Sequence, residues 1–495
     1  IIAHHTRINT SDDGGRIYVS AGRFELHDSE LRADNMFGGS ELQSEINIKT
    51  AEMTTVNGLI LARTFGPHKK SGGNINIEVT GTVELIGGGK SDEYSSGGIA
   101  TDSGSEDGVA PGDAGDIVLT AGNLFLKKGA LISSNAWDSG DCGNIKIAVK
   151  GLVSLSEQDH YTLTGSQIST STGSFSETAG DGGTIELTAG ELYVGGGGKI
   201  FAKTDGPGDG GKINIQVAGK AMFEGASNEG GPSVVSTAST GAKATGNGGN
   251  IEFQAHELIL KEGTAIDSST RGGGNGGDIK IQANLIHFDG KSHSFSSGLF
   301  ASSSFPRQQR AGTAGNISVQ ANTINLVNGG KMETGTINAG GGNIAVTASK
   351  LLYLRGGSIT TDVKLGVSDG GNIMIENPTF VVLDQASIIS NAKRGYGGDI
   401  GIHSQQYLAS ADKENILDAS SEILERSGKI VITSPTDDLT VDRVALSTAL
   451  FQNTLRQSCQ SRAVEGIVHL GLRGCLRPPP NRMKGSLIKE DYEWF

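Results

Sequence analysis

The most regular feature of the chain is a short phrase of small, polar and apolar residues that returns along most of its length. Two small residues precede Asn, Asp or another polar residue, an anchor isoleucine follows, and a second apolar residue stands two positions later. One copy reads Gly72-Gly73-Asn74-Ile75-Asn76-Ile77. Repetition of this kind is the sequence signature of a solenoid. The anchors that we take as core residues are Ile75, Ile117, Ile145, Ile185, Ile213, Ile251, Ile279, Ile317, Ile344, Ile373 and Ile400.

Degenerate copies add anchors at positions 17, 46 and 430, which brings the number of repeat units to fourteen. Most neighbouring anchors are 27–30 residues apart. In the middle of the chain, units of this length alternate with units that are about ten residues longer.

Within the short units the apolar residues fall at the anchor and at two, seven, nine and fifteen positions after it. One unit gives Ile117, Leu119, Leu124, Leu126 and Ile132. Steps of two are the periodicity of a β-strand, whose side chains alternate between two faces. Each unit is therefore predicted to hold three short strands, separated by turns rich in Gly, Ser, Thr, Asn and Asp.

Three short strands bury little surface alone, so successive units must stack. Each strand would then pair in parallel with its counterpart one coil along, and the Asn and Asp before the anchors would form a side-chain ladder. We predict an all-β fold, a right-handed parallel β-helix (solenoid) of about fourteen coils over residues 1–434. At ~4.8 Å between paired strands, the stack would be on the order of 65 Å long.

The longer units place their extra residues between the second and third strands, at 87–98, 156–165, 225–232 and 290–298. These loops should share one edge of the stack, on alternate coils. Loops on a rigid scaffold often carry binding specificity, which makes this edge a candidate binding surface. The alternative, that the loops are neutral insertions, stays open.

Composition agrees with a thin core. Glycine makes up 76 of 495 residues, aromatic residues 5% and hydrophobic residues 36%, too few for one large globular core. The net charge of −13 disfavours nucleic acid and anionic membranes as partners, because both require basic patches. No apolar run approaches the ~20 residues of a transmembrane helix.

Candidate chemistry is sparse. Some β-helices are polysaccharide lyases or hydrolases, and their sites need carboxylates clustered on one face of adjacent coils. The acidic residues here, such as Asp102, Asp113 and Asp116, lie mostly scattered in Gly-rich turns, and adjacent pairs such as Glu106-Asp107 do not recur at one phase of neighbouring units. The phrase at 273–279 partly matches a calcium-binding nonapeptide, but such sites need tandem copies. We therefore predict no catalytic residue, no metal site and no cofactor.

The repeat stops near residue 434. We expect residues 435–460 to form a short cap over the open end of the stack, and residues 461–495 an irregular tail. Cys459 and Cys475 could form one disulfide, and the other interpretation is that both are free thiols, as is Cys142.

The repeat and the ending together resemble the cyanobacterial proteins related to filamentous haemagglutinin, which are exoproteins of two-partner secretion systems. The repeat matches through its GGNI-x-I phrase, the Leu-x-Leu that follows and the Ser/Thr-rich third strand. The ending matches through Ser434-Pro435, Asp438-Leu439, Cys459 and the stretch 473–480, although Cys475 and Arg477 depart from the family pattern.

This resemblance covers most of the chain. It implies export through an outer-membrane secretion pore, and adhesion to surface glycans or other cells. The location would be outside the cell or at the cell surface of a Gram-negative-type bacterium, a cyanobacterium. This chain would then be the C-terminal portion of a larger protein, with the signal peptide and secretion domain before Ile1. The predicted function is a structural or adhesive surface protein, not an enzyme; the alternative is a carbohydrate-active β-helix enzyme.

Overall fold

The computed structural model describes residues 1–11, 15–35, 44–65, 72–88, 97–104, 112–137, 139–173, 179–227, 231–240, 244–292, 295–304, 311–410, 415–435, 470–471 and 474–475. The chain divides into two compact units, Ile1–Pro435 and Thr436–Phe495. In the second unit the described residues form a short antiparallel pair, Leu470–Gly471 with Gly474–Cys475. The predicted cap beyond Pro435 and most of the predicted tail lie outside the described residues.

The first unit is a parallel β-helix, which confirms the predicted fold. Each full coil contributes strands to three rows. The first and second rows join into one 24-stranded sheet, and the third row forms a 14-stranded sheet. Neighbouring strands within these rows are parallel and come from successive coils.

The first row contains the anchors. Its strands are Arg16–His27, Glu45–Val56, Asn74–Val79, Ile117–Ala121, Ile145–Val149, Ile185–Ala189, Ile213–Val217, Ile251–Gln254, Ile279–Gln282, Ile317–Val327, Ile344–Arg355, Ile373–Glu376, Ile400–His403 and Ile430–Thr433. The four longest continue into the second row, whose separate strands are Ile2–His4, Thr82–Ile86, Asn123–Lys127, Leu152–Ser156, Glu191–Gly195, Lys220–Glu224, Glu257–Lys261, Leu285–Asp289, Phe380–Asp384 and Gln406–Ala409.

The third-row strands are short. They are Arg7–Asn9, Glu30–Arg32, Leu59–Leu61, Gly98–Ala100, Leu131–Ser133, Gln167–Ser169, Lys199–Phe201, Val234–Ser236, Ala265–Asp267, Gly298–Phe300, Lys331–Glu333, Ser358–Thr360, Ser387–Ile389 and Ile416–Asp418. Smaller elements are the parallel pair Thr64–Phe65 with Ser103–Gly104, the antiparallel pair Lys291–Ser292 with Phe295–Ser296, and one turn of 3-10 helix at Leu424–Arg426.

The register keeps equivalent residues in columns. Ile251 lies opposite Ile213 in the preceding coil and opposite Ile279 in the following one. All eleven anchors chosen from the sequence are buried, with at most 1% of the side chain exposed. Ile430, in the last coil of this unit, is 42% exposed and pairs with a first-row strand on one side, at Ile400.

The inward residues of the other strands follow the same rule. Leu124, Leu126 and Ile132 are fully buried, as the pattern of one short unit predicts. Burial of such a side chain contributes about 1.5–3 kcal/mol. The core is therefore a set of aliphatic columns that run from coil to coil.

The second glycine of the repeated phrase stands where no side chain fits. A Cβ atom on Gly277 would lie 2.1 Å from the carbonyl oxygen of Gly249 in the preceding coil. The same clash, at 1.8–2.3 Å, recurs at each equivalent glycine from Gly115 to Gly428. Close approach of backbone to backbone thus explains why the anchor phrase carries glycine there.

Beyond the third strand the core continues with small residues. Ser134 and Thr170 are fully buried, and their hydroxyl groups donate hydrogen bonds to the carbonyl oxygens of Gly115 (2.6 Å) and Gly183 (3.0 Å). The sequence pattern assigns these Ser and Thr residues to turns. In the structure they line one side of the core, because a hydroxyl can be buried when it finds an acceptor.

The long coils differ from the short ones at two corners. Between the second and third strands, a short coil turns tightly through Lys128 and Gly129, both in the left-handed region (φ 53° and 76°). The long coils carry a loop there, as expected. The expectation that all extra residues lie at this corner is wrong: Ile185 lies seventeen positions after Ile168 in a long coil, whereas Ile145 lies thirteen positions after Ile132 in a short one.

Candidate binding surfaces

The loop of the coil that begins at Ile145 is built around a buried aspartate. Asp159 is fully buried, and its Oδ1 atom accepts hydrogen bonds from the backbone N–H groups of Tyr161 and Thr162, both at 2.7 Å. These bonds hold a tight turn at the tip of the loop. The turn leaves the side chain of Tyr161 58% exposed.

A second loop occupies the same corner four coils further along. It is a hairpin in which Lys291–Ser292 pairs with Phe295–Ser296, and the side chain of Phe295 is 46% exposed. We call the corner that carries the loops 157–166 and 290–297 the loop edge. Exposed aromatic side chains are enriched in protein interfaces, so both loops offer a contact group. Of the four loops, 157–166 is described in full, and those at 87–98, 225–232 and 290–297 are described in part.

A groove runs along a different corner, between the first and second rows. Over the five coils from Ile251 to Ile373, it has a volume of about 580 Å³ and twelve lining residues, all of them Gln, Asn, Ser, Thr or Ala. We call this stretch the amide groove. Gln254, Gln282 and Gln320 lie on one side of it, at paired positions of successive strands.

The other side of the amide groove carries Asn284, Asn322 and Ser349, and between the two sides lie alanines such as Ala283 and Ala321, whose side chains pack against the hydrophobic core. Ser349 donates a hydrogen bond to Asn322 Oδ1 across one coil step, at 2.7 Å. The same corner in earlier coils is different, because Lys49, Glu78 and Lys150 line it there. Lys49 Nζ lies 2.9 Å from Glu78 Oε2.

The predicted ladder of Asn and Asp before the anchors is present. Its side-chain oxygens accept hydrogen bonds from backbone N–H groups of the next coil. The side-chain oxygen of Asn250 accepts the N–H of Asp278 at 2.9 Å, Asp278 that of Asn316 at 2.8 Å, and Asn316 that of Asn343 at 3.0 Å. Each residue thus binds its counterpart one coil along. Lys212 occupies this position in one coil, where the side chain offers no acceptor.

A second ladder lies four positions before the anchors. Asp113, Asp141 and Asp181 each accept, through Oδ1, the backbone N–H of the equivalent residue in the next coil, at 2.8–2.9 Å. Asp209 continues the row and accepts the N–H of Asn247 at 2.7 Å. The expectation that the acidic residues are scattered through the turns is therefore wrong for this row. Counting back from the anchor, rather than along the turn, reveals the signal.

A buried group of charges lies near the start of the third row. Arg63 Nη2 is 2.9 Å from Asp34 Oδ2, and both side chains are buried. Asp102 follows at the equivalent position of the next coil. Burial raises the pKa of Asp102, and its carboxylate accepts the N–H of Asn135 at 2.7 Å. As in the two ladders, these carboxylates accept backbone N–H groups between coils, and Asp34 does so from Arg63.

Metal binding and thiol reactivity are two further kinds of chemistry that the side chains could support. The described part of the chain holds no group of three or more His, Cys, Asp or Glu side chains placed to bind a metal ion. Cys142 is a buried free thiol, and burial raises its pKa to about 12. The predicted pair of Cys459 and Cys475 cannot be placed, since the structure describes neither side chain. No helix among the described residues is long and apolar enough to cross a membrane.

Comparison with known proteins adds no relative. No family model matches the chain, and the searches of curated proteins and of solved structures gave no match either. The resemblance to filamentous-haemagglutinin-like exoproteins therefore stays a prediction, supported by the repeat and the C-terminal motif.

Proposed function

We propose that this chain belongs to a secreted or cell-surface protein with a structural and adhesive role, which contacts other cells or their glycans through the loop edge. The observation that supports this most is the pairing of a rigid scaffold with exposed aromatic residues, Tyr161 and Phe295, on loops at one corner. A single exposed aromatic residue is ordinary on a protein surface, whereas two of them at one corner of a regular scaffold, four coils apart, suit bivalent contact.

The resemblance to two-partner secretion exoproteins supplies the proposed location. In that view the chain leaves the cell through an outer-membrane partner pore and stays at the surface of a cyanobacterium or passes into the medium. An acidic chain with a net charge of −13 suits such a place, because like charges keep extended proteins dispersed.

The adhesive role can be tested with protein-coated beads on cyanobacterial cells and on a glycan array. We expect the wild-type chain to bind. The double variant Tyr161→Ala/Phe295→Ala should bind at least about tenfold more weakly, as for truncation of interface hot spots. Tyr18→Ala is the matched control, because Tyr18 is 66% exposed on a first-row strand, away from the loops. Equal binding by all three proteins, or by none of them, would contradict the proposal.

A carbohydrate-active enzyme is the second candidate, and the row from Asp113 to Asp209 is the observation in its favour, since it sets carboxylates on adjacent coils. Each carboxylate also accepts a backbone N–H, a contact that fixes the turn. Release of reducing ends from neutral or acidic polysaccharides, abolished in Asp181→Asn, would favour this candidate. Glycan binding without such release would favour adhesion.

A further inference from the structure

We infer that the amide groove is a second binding site, which takes a linear, neutral polysaccharide laid along the stack with one sugar residue for each coil. This goes beyond the proposed adhesive function, because it names a ligand class and places it at a different corner from the loops. The residues that would contact the ligand are Gln254, Gln282, Gln320, Asn284, Asn322 and Ser349.

The fold does not require amides at these positions. In earlier coils the position of the glutamines holds Thr120, Ala148 and Thr188, and the strands there pair in the same register. The one hydrogen bond between the glutamine side chains joins Gln282 Nε2 to Gln320 Oε1 at 3.4 Å, which is long. The glutamines are therefore not needed to hold the stack together, and their amide groups are available to a ligand.

The chemistry of the groove suits hydroxyl groups. An amide side chain offers two donors and one acceptor oxygen, and a sugar hydroxyl is both donor and acceptor. Between the two polar rows, the small residues Ala283 and Ala321 pack their side chains against the hydrophobic core, so they leave the space between the rows open. A sugar ring can therefore lie between a glutamine on one side and an asparagine on the other, and a few fixed polar groups of this kind orient a ligand.

The uncharged lining of the groove also indicates the charge of the ligand. Charged residues make up 19% of the chain, yet the twelve residues that line this stretch are all uncharged. An anionic polysaccharide would meet no cation in the groove and would be repelled by the net charge of −13. A neutral chain avoids both costs.

The spacing favours a polysaccharide over a peptide. Equivalent side chains recur at the distance between paired strands, ~4.8 Å, whereas an extended peptide advances ~3.3 Å per residue and falls out of step. One sugar residue in an extended β-1,4-linked chain is close in length to one coil step. Successive sugars would therefore meet equivalent sets of residues, which are Gln282, Ala283 and Asn284, then Gln320, Ala321 and Asn322, then Thr347, Ala348 and Ser349.

The test is a calorimetric titration of the full chain with β-1,4-linked mannohexaose and cellohexaose. The trisaccharides, hexagalacturonate and a neutral Gly/Ser peptide serve as comparisons. We expect at least one neutral hexaose to bind, its trisaccharide to bind more weakly because it spans fewer coils, and the acidic sugar and the peptide not to bind. Failure of both neutral hexaoses to bind, or preference for hexagalacturonate or the peptide, would overturn the inference.

A double variant locates the binding. Gln282→Ala/Gln320→Ala should weaken hexaose binding about tenfold or more, the effect of losing two hydrogen-bonding side chains. Lys280→Ala/Ser318→Ala is the matched control, because these exposed residues lie two positions earlier on the same strands, outside the groove lining. Equal affinity of wild type and the glutamine variant would overturn the assignment.

The bead assay separates this inference from the proposed function. If beads coated with wild type or with the glutamine variant adhere equally to cells while no hexaose binds, the adhesive role stands and the groove assignment falls. If a hexaose binds in the groove and no beads adhere to any surface, the groove assignment stands and the adhesive role falls.

Discussion

At the scale of single residues, the stack depends on positions that accept very few side chains. The glycine column is the strictest of these. Gly277→Ala would place a methyl group 2.1 Å from the backbone oxygen of Gly249, so the two coils would have to separate. We expect a loss of more than about 2 kcal/mol in the free energy of unfolding, measured by urea denaturation.

Gly273 gives the control for that substitution. It lies in the same turn, and a Cβ atom there would meet nothing within 4 Å. Gly273→Ala should leave the free energy of unfolding unchanged or raise it slightly, because alanine restricts the unfolded chain. Equal destabilisation by both variants would mean that the turn, rather than the close contact of the coils, demands glycine.

The backbone ladder makes a second prediction for a single residue. Asn343 Oδ1 accepts the N–H of Asn372 at 2.8 Å, and alanine at this position would leave that donor without its partner. Asn343→Ala should cost about 1 kcal/mol in the free energy of unfolding. Asn343→Asp keeps the acceptor oxygen and should cost less; thermal denaturation of the two variants side by side checks the order.

Cys142 makes a prediction about reactivity. Burial raises the pKa of its thiol to about 12, so almost no thiolate exists at pH 8, and the thiolate is the reactive form. Iodoacetamide should leave Cys142 unmodified in the folded protein and modify it after unfolding in urea. Peptide mass mapping distinguishes it from Cys459 and Cys475, and rapid modification at pH 8 in the folded state would contradict its placement in the core.

At the scale of strands and coils, the inward columns determine stability. Ile251→Asp would bury a carboxylate between Ile213 and Ile279, and we expect a loss of several kcal/mol. Ile430→Asp is the matched control, since its side chain is 42% exposed in the last coil. Comparison of the two melting temperatures tests the assigned columns, and similar melting of the Ile251 variant and the wild type would contradict them.

Strand positions could be predicted because their physical cause is local. A side chain such as Leu124 must be apolar to face the core, so the period of two and the unit of 27–30 residues appear directly in the sequence. Buried polar residues were harder to recognise. Ser134 and Thr170 look like turn residues, and only the three-dimensional position of a glycine carbonyl shows that their hydroxyl groups have an acceptor.

Binding surfaces were predicted less completely than the strands. The loop edge follows from where the unit length changes, and the sequence placed it at the correct corner. The amide groove was not predicted, because its residues are ordinary surface polar residues in each single coil. Gln254, Gln282 and Gln320 form one surface only after stacking places them side by side.

At the scale of the whole first unit, stacking turns sequence periodicity into continuous surfaces. The loop edge and the amide groove lie at different corners and share the coil that begins at Ile279, so under the two proposals one unit would hold a surface ligand and a polysaccharide together. Both surfaces depend on parallel, in-register stacking. Because each coil contacts its two neighbours, a change in one coil should act mainly on the adjoining ones.

The most direct test of this stacking is a set of distances between spin labels on outward first-row positions. Labels would be attached in pairs at Tyr18, Lys146 and Lys280, each one residue after an anchor, in a variant without the native cysteines. Double electron–electron resonance should give a distance of about 19 Å between labels at Tyr18 and Lys146, four coils apart. Between labels at Tyr18 and Lys280, eight coils apart, it should give about 38 Å, before allowance for the label arms. Distances that fail to double with the number of coils would contradict the parallel β-helix, and with it both binding surfaces.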